Sequence, residues 1–196
     1  NFAAGVLLIV FRPIEPVTVG VAPSHFDQAR RALEPRVRVL RVASDDAWMR
    51  DVGPTCVVNT AGEVRGVDWH FNAWGGLQVG VLPVDQDELV ARRVLAIEGL
   101  ARYRAPLVCE GGAIHSDGEG TLLVTEQCLL NSNRNPLLSR ERIETLLLEY
   151  TGASRIVWLG EGVYNDETDG HIDNLACFAA PGEVIQVKSI FGREGF

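Results

Sequence analysis

The spacing of apolar and polar positions switches repeatedly between the period of a strand and that of a helix. Residues 17–22, rich in β-branched side chains, predict a strand. Ser24 follows as the N-cap of a helix running through Leu33. Residues 37–42 alternate and predict a second strand. Residues 45–54, polar with Gly and Pro, predict a loop. Residues 56–59 and 64–70 predict a strand pair turned through Ala61-Gly62, and 71–80 predict a loop of glycine and aromatic residues. Asp85 with Glu88 forms a capping-box-like start to a helix reaching about Arg102, its stripe being Val90, Val94, Leu95, Ile97 and Leu100. Short strands are expected at 107–109, 113–116 and 121–125. Ser139 caps a third helix carrying Ile143, Leu146, Leu147 and Leu148, and Gly152 ends it. The last strands fall at 155–159, 174–179 and 184–187. The apolar opening, residues 1–11, is too short to span a bilayer and has no positive segment or cleavage site of a signal peptide. It predicts a buried strand or helix end.

One rhythm recurs about three times: strand, loop, strand, helix, strand, with an acidic loop at comparable places. Helices between strands predict an α/β protein, and the rhythm predicts internal structural repeats. Glu110-Gly111-Gly112 lacks the spacing of a phosphate-binding loop, so no nucleotide fold is expected.

Composition narrows the partners. The 196 residues, 46% of them hydrophobic, suffice for a single domain with its own core. A formal net charge of -8 argues against nucleic acid and anionic membranes and is compatible with a cationic ligand. Cys56, Cys109, Cys128 and Cys177 are far apart and form no C-x-x-C pair. That excludes a zinc knuckle or dense disulfide framework, and the thiols are read as reduced core residues of a cytoplasmic protein.

Three loops carry candidate chemistry: residues 45–54, residues 109–112 and residues 165–174. In the third, Asp166, Glu167, Asp169, Asp173 and His171 lie within eight residues. A solvated acidic turn is the ordinary reading of such a run. Here the run leads directly into an apolar strand, and alternation places His171 and Asp173 on one face at its start. That arrangement suits a general acid/base beside a carboxylate. No His pair at H-x-x-x-H or H-E-x-x-H spacing is present, so no metal is expected. A guanidinium presents planar forks of N–H donors that carboxylates match bidentately. Asp51 and Asp173 are candidate grips, with Trp48 as a wall.

Five stretches carry a resemblance. Residues 48–54 (Trp-Met-Arg-Asp-Val-Gly-Pro), 67–76, 110–115 (Glu-Gly-Gly-Ala-Ile-His), 129–136 and 166–174 resemble, in order and spacing, the agmatine deiminases. More broadly they resemble the bacterial-type peptidyl-arginine deiminase family. The resemblance runs from about Val17 to about Glu183. It implies a pentein-type α/β propeller of five ββαβ units around a central site. It also implies cofactor-free hydrolysis of agmatine to N-carbamoylputrescine and ammonia, within putrescine metabolism. A cysteine thiolate would attack the guanidinium carbon. His171 would protonate the leaving ammonia and then activate water. Asp51 and Asp173 would hold the guanidinium, Trp48 would line the aliphatic chain, and Glu167 would meet the distant ammonium. Asp169 joins the substrate-binding set, and Glu110 takes a supporting role.

The family's nucleophile lies in a Gly-Gly-Gly-Asn-Ile-His-Cys type motif near its C-terminus, which these 196 residues do not contain. Residues 1–13 and 187–196 also depart from the family. The chain is therefore expected to be a single partial pentein domain of about three of five blades, inactive alone. The substitute thiols considered, Cys109 and Cys177, sit in apolar strands where burial raises the pKa. Uncovered strand edges leave a homo-oligomer open. Two other readings stand beside it: a peptidyl-arginine deiminase, and a non-catalytic cation-binding remnant. Glu167 favours a free amine over a peptide.

Overall fold

The computed structural model describes residues 16–76 and 85–187. The predicted element at 1–11 and the end of the Gly/aromatic loop lie outside the described residues. Strand β1 (Thr18–Val21) and β2 (Arg38–Arg41) pair in parallel across helix α1 (Phe26–Ala32). Ser24 does not cap that helix. Pro23 starts a 3-10 turn, Pro23–His25, one residue earlier, and the cap position falls to His25, whose side chain makes no capping bond. The predicted loop 45–54 contains one helical turn, α2 (Met49–Val52).

Two ββαβ units follow. In the first, β3 (Thr55–Val58) runs antiparallel to β4 (Val64–His70), and helix α3 (Val90–Glu98) leads to β5 (Ala101–Val108), parallel to β4. In the second, β6 (His115–Ser116) is antiparallel to β7 (Thr121–Thr125). A short helix, α4 (Glu126–Leu129), and the long α5 (Arg140–Thr151) then lead to β8 (Arg155–Leu159), parallel to β7. A last turn, α6 (Ile172–Leu175), opens an antiparallel pair, β9 (Ala176–Ala180) and β10 (Glu183–Gln186). The described residues thus form an α/β structure of mixed sheets, none of which closes on itself.

The central strands are the most buried, as the middle of a covered sheet requires. All five residues of β7 are buried, so its run of Thr121 to Thr125 shows no polar alternation. Val67 and Trp69 of β4, Leu107 of β5, Leu122 and Val124 of β7, and Ile143 and Leu147 of α5 make one continuous core. That core welds the two units together. Ser139 Oγ accepts the Arg142 N–H at 3.3 Å and starts α5, and Gly152, with φ 73°, ends it. Where α3 crosses β4, a Cβ on Gly66 would stand 2.1 Å from the Leu95 side chain.

Three expectations are corrected. The helix expected to reach Arg102 ends at Glu98, because Gly99 takes the left-handed φ of 66° and Leu100 N bonds back to the Leu95 carbonyl. Ala101 and Arg102 therefore belong to β5, and Ile97 is exposed rather than part of the buried stripe. Asp85 and Glu88 form no capping box. Glu88 instead accepts the Phe71 N–H at 2.7 Å and pairs with Arg104, while buried Asp87 accepts the Asp45 and Asp46 N–H groups. Cys109 and Cys128 are core thiols as expected, but Cys56 is exposed. No helix among the described residues is long and apolar enough to cross a membrane.

Candidate active site

The three loops meet. Helices α2 and α6 both pack against the 3-10 turn Gly111–Ala113, bringing residues 51, 110, 112, 171 and 173 into one cluster. His171 and Asp173 do not enter on an alternating strand. Residues 172–175 form a helical turn, with His171 at its N-cap and Asp173 in its first turn.

Both glycines of the central turn are there for space. A Cβ on Gly111 would lie 2.0 Å from the Arg50 carbonyl oxygen, so the two loops touch backbone to backbone. A Cβ on Gly112 would lie 2.4 Å from His171 Nδ1, 2.7 Å from Asp51 Oδ1 and 2.9 Å from Asp173 Oδ2. The three polar groups therefore converge over a position where the chain has no side chain.

Asp51 is fixed through both oxygens. Oδ1 accepts the Gly112 N–H at 2.9 Å, and Oδ2 accepts the Trp74 indole N–H at 3.0 Å. Trp74 is held edge-on against Phe71, with a centroid separation of 5.1 Å. His171 is buried, and its two ring nitrogens face different partners. Nδ1 lies 3.8 Å from Asp51 and 3.9 Å from Asp173, while Nε2 lies 3.7 Å from Glu110 Oε2. At that distance neither Nε2 nor Oε2 has a hydrogen-bond partner among the described residues.

Glu110 is buried, and its other oxygen accepts Arg134 Nε at 2.7 Å. Arg134 is itself buried and fully engaged. It donates to the Trp74 carbonyl at 2.6 Å, Asn133 Oδ1 at 2.9 Å, Asp169 at 3.0 Å and the Thr168 carbonyl at 3.0 Å. Asp166 shapes the His171 loop. It accepts the Thr168 hydroxyl at 2.6 Å and the Gly170 and His171 N–H groups at 3.1 Å each.

The charges are unbalanced. Burial opposes an imidazolium at His171, but Glu110, then Asp51 and Asp173, outweigh it and raise the pKa. Burial raises the Asp173 carboxyl; His171 opposes the rise and Asp51 adds to it. With Arg134 balancing Glu110, the acids around Nδ1 face only the half-exposed Arg50, 3.9 Å from Asp173.

Of the sequence-predicted residues, Asp51, Glu110, His171 and Asp173 come together. Asp169 accepts from Arg134 and Asn133, and Glu167 is exposed on the loop carrying His171. Trp48 is exposed at the start of α2. Sequence reasoning gives Trp74, Gly112 and Arg134 no part in the site, and Asp166 a part only as one of the acids of its loop. All four lie in the quoted stretches, but nothing in their spacing separates a residue that holds the site from one that packs. The thiol that clusters with the site is Cys128, whose sulfur lies with a Glu110 oxygen and a His171 nitrogen inside 4.8 Å. Burial, then Glu110, pushes the thiols of Cys109 and Cys128 up. A groove of about 620 Å³ lined by Val57, Arg65, Tyr103 and Tyr150 contains none of these residues.

Comparison with known proteins adds independent observations. The family model for Porphyromonas-type peptidyl-arginine deiminase matches residues 4–190. The agmatine deiminase of Pseudomonas fluorescens Pf-5 is 57% identical over 174 residues, covering 87% of this chain and 47% of that protein. The agmatine deiminase of Ectopseudomonas mendocina ymp is 56% identical over 174 residues, with the same coverage. The structure of the Enterococcus faecalis agmatine deiminase matches with a TM-score of 0.92 at 46% identity, covering 96% of this chain and 52% of that one. A Cys→Ser variant of the C. jejuni agmatine deiminase with substrate bound matches with a TM-score of 0.78 at 30% identity, covering 89% and 51%. The chain spans about half the length of the curated relatives it matches.

Proposed function

Since the chain belongs to the Porphyromonas-type peptidyl-arginine deiminase family, we propose that its cluster binds the guanidinium of agmatine and serves hydrolysis to N-carbamoylputrescine and ammonia. The two ββαβ units and their flanking strand pairs are read as blades of an incomplete pentein propeller, about three of five. The reading rests on one observation: Asp51, Asp173 and His171 Nδ1 converge on one another over Gly112.

A planar guanidinium docking against these converging groups offsets their excess negative charge, with Asp51 and Asp173 accepting from its edges. Asp51 is already oriented by Gly112 and Trp74, so little is lost in ordering it. His171 Nδ1 faces the reacting carbon. Glu110 stands behind Nε2 and stabilises the imidazolium that forms. His171 gives its proton to the departing ammonia. It then takes one from the water that attacks the thiouronium left by a cysteine thiolate. A substrate complex of a Cys→Ser variant in a relative is what a thiol nucleophile predicts. Within these 196 residues, the buried thiols of Cys109 and Cys128 are not set to attack. These residues therefore bind, orient and exchange protons, and the purified chain binds agmatine without turning it over.

The exposed acid Glu167 favours the amine end of agmatine over a carboxylate. Calorimetric titration with agmatine, arginine and an arginyl peptide tests this. Agmatine is expected to bind most tightly, and Asp51→Ala and Asp173→Ala to abolish binding. Equal affinity for all three would reject the role of Glu167, and preference for the peptide would favour a peptidyl-arginine substrate.

A further inference from the structure

We propose that Glu110, Cys128 and His171 form a binding site for a soft divalent cation, zinc being the probe, on the side of His171 away from the guanidinium acids. The ligand atoms already stand together. One oxygen of Glu110, one nitrogen of His171 and the Cys128 sulfur lie within 4.8 Å of one another, all on buried residues. Tetrahedral zinc holds nitrogen, oxygen and thiolate ligands roughly 3.4–3.6 Å apart. The 3.7 Å between Glu110 Oε2 and His171 Nε2 needs only a small contraction.

Two of the three side chains carry a buried polar atom with an unmet need. Glu110 Oε2 and His171 Nε2 are the buried side-chain polar atoms without a hydrogen-bond partner among the described residues, and they face the same gap. Leaving such atoms unpaired is costly, and a metal would satisfy both. The surroundings match those of a metal-bound histidine. Arg134 occupies Glu110 Oε1, leaving Oε2 free to ligate. On the opposite edge of the ring, Asp51 and Asp173 face Nδ1, where carboxylates typically steady a ligating imidazole. Glu110 and a Cys128 thiolate supply two negative charges to the dication, and Asp51 and Asp173 beside His171 add to these against the Arg134 guanidinium. Binding releases the Cys128 thiol proton and any proton on Nε2. A water fills the fourth position.

The functional consequence rests on the reading of His171 given above. A metal on Nε2 takes the place of its proton, so the imidazolium that would protonate ammonia cannot form. The site is then inhibitory and reversed by chelation. Residues 110, 128 and 171 are too far apart in sequence for ligand spacing to reveal them.

Cobalt(II) titration of the purified chain tests the site without any turnover. A stoichiometric near-ultraviolet thiolate-to-cobalt absorption, displaced by zinc, is expected in the wild type and in Cys109→Ser, and absent in Cys128→Ser. Absence of that absorption in the wild type, or its survival in Cys128→Ser, overturns the proposal. If Cys128→Ser does not show a cooperative thermal transition, Cys128→Ala replaces it with the same two outcomes. Agmatine titration of the metal-free chain separates the two readings. Metal bound through Cys128 with no agmatine binding leaves the metal site standing and rejects the guanidinium site.

Discussion

Replacing Gly112 with alanine is expected to disable the site while sparing the fold. The added methyl would lie 2.4 Å from His171 Nδ1, 2.7 Å from Asp51 Oδ1 and 2.9 Å from Asp173 Oδ2. Ordinary contacts begin near ~3.5 Å, so the imidazole must retreat by about 1 Å and the carboxylates by somewhat less. His171 is buried with Glu110 behind it, so the retreat has nowhere easy to go. Overpacking of this kind costs about 1–3 kcal/mol of stability. Misplacing reacting groups by ~1 Å costs on the order of 10²-fold in a productive geometry. Calorimetry should show agmatine affinity falling by about that factor, equivalent to about 2.7 kcal/mol, while the thermal transition stays cooperative. Gly111→Ala is the contrast. Its methyl would meet the Arg50 carbonyl oxygen at 2.0 Å, and backbone cannot rotate aside. It should therefore lower stability more than Gly112→Ala does. Near-native agmatine affinity in Gly112→Ala, with an unchanged His171 ring resonance, would refute the assignment of the space over Gly112.

Further outcomes follow from the supporting residues. Arg134→Ala should destabilise the chain by about 3–5 kcal/mol in urea denaturation, because it leaves buried Glu110 unpaired; a loss under ~1 kcal/mol would contradict this. Trp74→Phe removes the indole donor to Asp51 Oδ2 but keeps the ring against Phe71, so agmatine affinity should fall about 10-fold with little change in thermal midpoint. For Asp166, burial opposes ionisation, but the donors from Thr168, Asn174 and His171 outweigh it and depress the pKa. Its contribution to stability should be present above the ordinary ~3.9 and lost as pH falls through the depressed value; a pH series of melts against Asp166→Asn checks it, and an identical pH dependence in the two proteins would remove Asp166 from the account.

Periodicity revealed the elements with strong signals. Strands Thr121–Thr125 and Arg155–Leu159 stand where expected, and so does the helix between Ser139 and Gly152, because cap, stripe and stop agree there. It failed where one residue overrides a pattern. Gly99 ends a helix whose apolar stripe continues past it, and a helical turn at Ile172–Leu175 interrupts what reads as a strand. Asp51, Glu110, His171 and Asp173 were legible from chemistry and resemblance. Arg134 was not, since a sequence does not distinguish an arginine on the surface from one buried among five loop acceptors. Cys128 was hidden for a related reason: its distance from Glu110 and His171 collapses only in the folded core, where it shares a cluster with Ala113 of the glycine turn.

The resident guanidinium of Arg134 sorts the acids of the cluster. Arg134 engages Glu110 and Asp169, the acids nearest to it, and its donors to the Trp74 and Thr168 carbonyls tie down the loops that carry Asp51's indole partner and His171. Asp51 and Asp173 are left without so close a cation. Arg50 approaches Asp173 only to 3.9 Å and is largely exposed, so it competes weakly in water. A buried arginine that merely neutralised charge would take whichever carboxylates lay nearest. This one fixes the loops as it does so, and thereby decides which two acids face the space over Gly112. Loss of Arg134 should therefore change agmatine binding as well as stability. Arg134→Lys, which keeps the charge but lacks the fork, should bind agmatine more weakly than its own stability loss explains, because one ammonium cannot reach Glu110, Asp169 and both carbonyls at once.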